Sequence, residues 1–368
     1  MNLSKDKRIV MTLDAGGTNL VFSAIKGGKE LVTPIIKASD SINLEACLQI
    51  IITGFQELKA VLGHAKPVAI SFAFPGPADY KNGIIGDLPN FPAFRGGIPM
   101  GPMLQDIFGL PTFINNDGNL FAYGEAMGGF LPEINAQLRD KNINKNYKNL
   151  IGITLGTGFG CGIVVNNQLC DGDNSAAGEI WLTRNYKNPE HMAEEGVSIR
   201  AIQKKYSQLA NTTQTFSPKE IFDIAQGEKE GNSEAAIKAF EQTALVIAES
   251  LAHALTLIDG AVVIGGGISG ASQLILPHLL KHLNGTIKNQ DGDRIPRLLS
   301  KVFNLEDEYQ NQDFFEWNKK ELSIPFKHEK IEYNSEKRIP IGISRLGTSQ
   351  AIFLGAYAFA LASLDNLN

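Results

Sequence analysis

The sequence predicts an α/β architecture of more than one domain. Three observations predict it: apolar strands alternate with helical stretches, one strand–loop–strand unit occurs twice, and the chain has 368 residues. At ~100–200 residues per domain that length suggests two or three domains. Apolar residues make up 43% and charged residues 20%, the balance of a soluble globular protein. The net charge is −5 with no basic tail or Lys/Arg cluster, which argues against a nucleic-acid partner. The first residues, MNLSKDKRIVMTLD, do not read as a signal peptide, because the apolar stretch is short and runs into Asp14. No segment approaches the ~18 apolar residues of a membrane span. Cys47, Cys161 and Cys170 have no CxxC spacing and suggest no disulfide framework, so a reducing cytoplasm is expected.

The elements follow in order. Arg8–Leu13 reads as a buried strand ending in Asp14, and the loop Ala15–Thr18 turns it into a second strand, Leu20–Ile25. Gly27-Gly28 makes a hairpin turn before a third strand, Glu30–Ile36. Leu44–Leu62 has apolar residues at helical spacing. Pro67–Phe74 is a strand closed by Pro75-Gly76-Pro77. Pro111–Ile114 is a short strand that leads through Asn115–Asn119 into a helix over Leu120–Met127. Pro132–Asn149 reads as a polar surface excursion with some helix. Leu150–Leu155 and Cys161–Val165 are strands flanking the loop Gly156–Gly160. Residues 149–170 thus repeat the strand, Gly/Thr loop, strand and turn of residues 8–31. Ser233–Asp259 is a long helix, Ala261–Ile264 a strand, Ala271–Leu283 a helix, and Gly347–Leu361 a closing helix with an apolar face. Residues 284–340 read as polar and irregular.

Glycine is over-represented, at 37 residues, and gathers in three clusters. A bound phosphate needs several backbone N–H groups aimed at one point, and side chains would block that approach. Asp14-Ala15-Gly16-Gly17-Thr18 and Gly156-Thr157-Gly158-Phe159-Gly160 both meet this need directly after a strand. Either loop alone reads equally well as a tight hairpin turn; their matching frames favour phosphate. Asp14 repels bare phosphate, so a Mg²⁺ ion between them, reached through a water, is expected. The third cluster, Gly265-Gly266-Gly267-Ile268-Ser269-Gly270, matches the dinucleotide fingerprint G-x-G-x-x-G. It lacks the second strand ending in an acid, however: residues 284–294, NGTIKNQDGDR, contain no apolar strand. A close backbone approach to a flat group such as adenine suits it better.

Asn116-Asp117-Gly118-Asn119 lies between a strand and a helix, where Asp or Asn is a good N-cap. The same place, at the carboxyl end of a strand, is where open α/β sheets bind ligands. Asp117 can then accept the proton of an attacking hydroxyl, with Asn116 holding a neighbouring hydroxyl; both readings can hold together. Glu179, in Ala176-Ala177-Gly178-Glu179, and Glu190, Glu194 and Glu195 around His191 are carboxylates of the kind that accept from vicinal sugar hydroxyls. Each glutamate alone reads as a solvated face. His191, His253, His278, His282 and His328 have no metal-ligand spacing with the cysteines, so no zinc site is expected.

These motifs together resemble the ROK family (repressor, open reading frame, kinase) of bacterial sugar kinases, within the actin-like ATPase superfamily. The resemblance rests on LDAGGTN (13–19), FPGPAD (74–79), LPNF (88–91), INNDGNLFAYGE (114–125), LGTGFGCGIV (155–164), AAGE (176–179), VIGGGIS (263–269) and LGTSQAIFLGAYAFAL (346–361). It implies a two-domain actin-like, ribonuclease H-like fold with the active site in the interdomain cleft. The N-terminal domain would comprise 1–117 plus 346–368. The C-terminal domain would comprise 118–345, with an irregular insertion around 284–340. It implies an ATP-dependent hexose kinase, similar to the glucokinases, that phosphorylates a sugar hydroxyl, expected to be the 6-hydroxyl, using ATP and Mg²⁺ in a cytoplasmic homodimer. By motif, Asp117 matches the catalytic base, and Asn116, Glu179 and Glu194 match the sugar ligands. Gly16, Gly17, Thr18, Thr157 and Gly158 match the phosphate loops, Gly265, Gly266 and Gly267 the adenosine loop, and Asp14 the Mg²⁺ contact. There is a departure. Typical members continue the Gly-Glu pair to a Gly-His and a cysteine-rich zinc loop. Here Ile180-Trp181-Leu182 follows Glu179, Leu182 stands where the histidine belongs, and no cysteines follow. The zinc is therefore expected to be absent. One sugar ligand is expected to be missing, or replaced by Trp181 or His191. An inactive sugar sensor of the same family is the alternative. A repressor would need a helix-turn-helix ahead of Asp14, and the 13 residues there leave no room.

Overall fold

The structure is a computed structural model that describes residues 3–15, 19–40, 42–88, 92–317 and 320–367. Gly16, Gly17 and Thr18 of the first glycine loop lie outside the described residues, as do Pro89, Asn90 and Phe91 of the LPNF motif. The chain divides into two compact units. The first comprises Met1–Pro132, Gly160–Gly178 and Ser344–Asn368, and the second Glu133–Phe159 and Glu179–Ile343. In this division residues 118–132 and 160–178 group with the first unit. Among the described residues no helix is long and apolar enough to cross a membrane.

In the first unit, the strands Ile9–Ala15, Pro67–Ala73 and Thr112–Asn115 run parallel, and Asn19–Lys26 pairs antiparallel with Ile9–Ala15. Ile9–Leu13 and Ala69–Ala73 are buried throughout, as expected of strands covered on both faces. The single third strand expected over Glu30–Ile36 is two short ones, Lys29–Glu30 and Ile35–Ala38, each pairing with Asn19–Lys26. The helix Leu44–Leu62 spans the range its apolar spacing predicts, and Asn43 caps it by accepting from the Ala46 amide. It turns Cys47, Ile51, Phe55 and Leu58 inward, where Phe55 meets Phe22 edge-on at 5.2 Å and also packs on Phe72 and Phe108.

Two further helices of this unit cross without side chains between them at the closest point. They are Asp117–Gly128 and the closing helix Thr348–Asn366. A Cβ on Gly124 would lie 1.9 Å from the Ala351 carbonyl oxygen, and one on Gly355 would lie 1.9 Å from that of Leu120. Neither helix has a single apolar stripe: residues 118–126 are all buried, and so are 351–358. Such all-round burial marks internal helices. Glu125 is buried with them, and its carboxylate accepts from the Phe130 and Leu346 amides at 2.7 and 3.1 Å and from the Ser344 hydroxyl. It ties the entry of the closing helix to the other helix.

In the second unit, Leu150–Leu155, Ala261–Gly265, Arg338–Ile343 and Lys301–Asn304 form a parallel array in that order. The long helix Ser233–Ile258 and the helix Ser272–Leu283 follow their predicted spans to within a residue or so. The helices Ile199–Ala210 and Pro218–Gln226 were not anticipated; the second begins with a Ser217/Glu220 capping box. Residues 284–340 are not irregular. They hold two exposed hairpins, Thr286–Lys288 with Arg294–Pro296 and Lys320–Ser323 with Lys330–Tyr333, a helix at Glu308–Phe315, and two strands of the main array. The strand Arg338–Ile343 is buried between two neighbours although it contains Pro340, a residue that argues against a central strand. The topology also removes the dinucleotide reading. Ala261–Gly265 is flanked by Leu150–Leu155 and Arg338–Ile343, and the two strands directly after the Ser272–Leu283 helix, Thr286–Lys288 and Arg294–Pro296, pair only with each other among the described strands.

Candidate active site

In the first unit, register sets Asp14, Ala73 and Asn115 in one row across the three parallel strands. At ~4.8 Å per strand, Asp14 and Asn115 stand about 10 Å apart at the carboxyl ends. Asn115 ends its strand and Asp117 opens the next helix. Of the residues that could cap this helix, Asn116 is the N-cap, and its Oδ1 accepts from the Gly118 amide at 2.8 Å. Asp117 Oδ1 shares that amide at 2.9 Å. Gly118 has no room for a side chain, since a Cβ would come within 2.9 Å of the Cys161 carbonyl oxygen. Asn116 Nδ2 reaches 3.5 Å from the Tyr80 hydroxyl, which itself donates to the Phe74 carbonyl at 3.0 Å.

Asp117 is exposed, yet protein crowds closely around its carboxyl. That desolvation pushes its pKa above the usual carboxylate range, against the pull of the Gly118 hydrogen bond. Burial also pushes Asp14 up. The charge of Asp117 adds to that shift, and a hydrogen bond with Ser349 opposes it. Among the described residues the hydrogen-bond partners of the two acids, Ser349 and Gly118, are neutral, a setting in which a bound cation such as Mg²⁺ would offset their charge.

In the second unit, the register Gly265↔Thr154 brings the other two glycine clusters out at the same end of the parallel array. Gly156 N–H donates to the Gly158 carbonyl at 3.0 Å, closing a tight loop in which Thr157 is exposed. Glu194 braces that loop, with Oε2 accepting from the Phe159 amide at 2.9 Å. Gly266 has φ +86, and a Cβ there would sit 2.3 Å from the Leu155 carbonyl oxygen, whereas Gly267 and Gly270 border open space. Glu179 is exposed and accepts a hydrogen bond from the Trp181 indole N–H. Leu182 is 58% exposed, and His191 is exposed and engaged through its backbone. The loop that follows is held by Asn185, which is 1% exposed. Its Oδ1 accepts from the Lys187 and Asn188 amides at 2.9 and 3.1 Å, and its own N–H donates to the His191 carbonyl at 2.9 Å. Among the described residues, no three His, Cys, Asp or Glu side chains gather as metal ligands.

The model of the ROK family matches residues 10–299. The chain belongs to the ROK family. Its fold is the actin-like ATPase fold of that family's sugar kinases. The crystal structure of a glucokinase from Parabacteroides distasonis is 52% identical over 98% of this chain and 99% of that one, with a TM-score of 0.89. The N-acetyl-D-glucosamine kinase of Vibrio cholerae is 27% identical over 269 residues, which cover 70% of this chain and 83% of that protein. A ROK hexokinase from Thermus thermophilus, 20% identical with a TM-score of 0.68, covers 97% of this chain and 99% of its own, a likeness of fold.

Within this ROK chain the structure adds residues the sequence did not single out. Asp171 follows the strand Gln168–Leu169 and is half-buried beside Asn115 and Asn119, both buried. No motif marks it, and its partners lie 56 and 52 residues away in sequence. Tyr80 and Asn185 likewise gain their places only through the fold.

Proposed function

We propose that this chain, an ATP-dependent sugar kinase, transfers the γ-phosphoryl group of ATP to the 6-hydroxyl of glucose or a closely related hexose. The observation that carries this reading is the placement of Asp117. It is a carboxylate with a raised pKa at the carboxyl end of a parallel sheet, in a chain whose 52%-identical relative is a glucokinase. Asp117 accepts the proton of the attacking hydroxyl as its oxygen bonds to phosphorus and the bond to the leaving ADP oxygen breaks. Such a base contributes ~10²–10⁴-fold. Asn116, whose Oδ1 is engaged by the Gly118 amide, offers its amide N–H groups to a neighbouring hydroxyl. Glu179, oriented by Trp181, accepts from another, and so does Glu194 through the carboxylate that also braces the 156–160 loop. Gly16, Gly17, Thr18, Thr157 and Gly158 supply backbone and hydroxyl donors to the phosphates, and Gly265–Gly267 the surface for adenosine. Asp14 would hold Mg²⁺ through a water, and the ion when bound offsets phosphate charge. By family resemblance the reading includes a cytoplasmic homodimer.

The test is a panel of glucose, mannose, N-acetylglucosamine and N-acetylmannosamine with ATP in a coupled ADP-release assay, on the wild type and Asp117→Asn. Glucose is expected to give the highest kcat/KM, and the variant to lose ~10²–10⁴-fold in kcat while still binding sugar. Sugar binding with no phosphorylation of any member would instead make the chain a sensor.

A further inference from the structure

Asn116 alone connects the strand that ends at Asn115 to the helix that Asp117 opens, a place where a backbone can pivot. An asparagine before this pair and one in the first turn after it are both buried: Asn115 is 1% exposed and Asn119 4%. Asn115 Oδ1 accepts from the Asn116 amide at 2.7 Å and from Asn119 Nδ2 at 2.9 Å. The first turn of the helix is thereby tied back to the strand. Asn115 Nδ2 donates to Asp171 Oδ1 at 3.1 Å, and Asn119 Nδ2 donates to the same oxygen at 3.3 Å. A single carboxylate oxygen therefore holds both asparagines. Asp171 is fixed in turn: its carbonyl accepts from the Ala177 amide at 3.2 Å, which closes the loop before Gly178.

The network is not arranged for stability alone. Asn119 turns both N–H bonds toward Asn115 and Asp171 and leaves its own Oδ1 buried without a hydrogen-bond partner among the described residues. An orphaned buried acceptor costs ~1–3 kcal/mol. A carboxylate placed where burial disfavours its charge adds to that cost. Such concessions gather where a protein fixes a reacting group.

We propose that Asp171 is a positioning residue for phosphoryl transfer, fixing Asn116 and Asp117 by holding the two asparagines that flank them. This rests on the reading of Asp117 as the base. Its effect passes through Asn115 and Asn119. A misplacement of ~1 Å at a reacting group can cost ~10²-fold, so releasing both amides should lower kcat and leave the more distant nucleotide contacts intact.

Steady-state kinetics on Asp171→Ala, Asp171→Asn and Asn119→Ser, with amide hydrogen exchange over residues 112–121, test this. Asp171→Ala and Asn119→Ser are expected to lose about 10- to 100-fold in kcat with KM for ATP within about twofold. Asp171→Asn keeps an Oδ1 able to accept from both asparagines and should stay within about threefold of wild type. Exchange at 112–121 should speed up in the first two variants and not in the third. Wild-type kcat in folded Asp171→Ala would overturn the proposal. Equal losses in Asp171→Ala and Asp171→Asn would also overturn it, by assigning the role to the charge. Asp117→Asn turning over at the wild-type rate would defeat the reading of the base instead. The exchange result would then decide the network independently: acceleration in Asp171→Ala alone supports it, and unchanged exchange rejects it.

Discussion

Asp117 is asked to be ionised when it accepts a proton, yet it sits where desolvation disfavours its charge. The sign of the pH dependence follows. Below the raised pKa the carboxyl is protonated and cannot act as base, so kcat/KM falls as pH drops through that value and is level above it. The acid limb should therefore lie at higher pH than an ordinary aspartate would give. A pH–rate profile checks this, and a limb at or below the ordinary carboxylate range would contradict it. Asn116, Asp117 and Glu179 could be singled out in the sequence because each stands in a short motif at the end of a strand or loop. Asp171 could not, since its meaning comes from Asn115 and Asn119, which only folding brings near. The cap was ambiguous for a local reason. Asn116 and Asp117 are adjacent and both accept from the Gly118 amide, and only the backbone tells which is N-cap.

Elements with a strong period or a clean cap were readable, as the helix Leu44–Leu62 shows. The strand Arg338–Ile343 was not, because Pro340 and its polar flanks hide a short buried strand whose identity is set by its neighbours. The crossing of Asp117–Gly128 over Thr348–Asn366 was also out of reach, since nothing in a sequence says that two glycines face one another. Its energetics give a prediction. Gly124→Ala or Gly355→Ala drives a methyl group against a backbone carbonyl, which cannot move aside as a side-chain tip can. Overpacking of this kind costs ~1–3 kcal/mol or more, and urea unfolding should show a lower midpoint for each variant. The Asn185 loop gives another. Its turns are closed by hydrogen bonds to Asn185, so a zinc-selective chelator should leave Tm unchanged, whereas Asn185→Ala should lower it. A fall in Tm on chelation would show that the loop holds metal.

Taken as a whole, the chain distributes the proposed ligands over both units: Asp14, Asn116 and Asp117 in the first, Thr157, Gly158, Glu179, Glu194 and Gly265–Gly267 in the second. If these residues act as proposed, hexose binding orders the segments that carry them. Hydrogen exchange with saturating glucose is then expected to slow in peptides over 112–128 and over 179–196 together. Protection confined to one unit would remove the other unit's residues from the assignment. The α/β class and the doubled strand–loop–strand frame were legible at this scale, because they recur in the chain itself. The hydrogen bond between Asp171 and Asn115 was not, because it joins segments 56 residues apart.

The glycine crossing also bears on how the protein is made. The helix that carries Asp117 is buried on nearly every side, and one of its walls is Thr348–Asn366. On the ribosome that wall is translated only after all the residues of the second unit. Domains generally fold as they emerge, at ~5–20 residues per second. Here the nascent first unit has to wait with the faces of Leu120 and Gly124 uncovered while the second unit, complete at Ile343, can already fold. Birth order and folding order are thus reversed. The interval invites chaperone capture, and an mRNA truncated just before Thr348 should yield a product whose second unit resists protease while its first is digested.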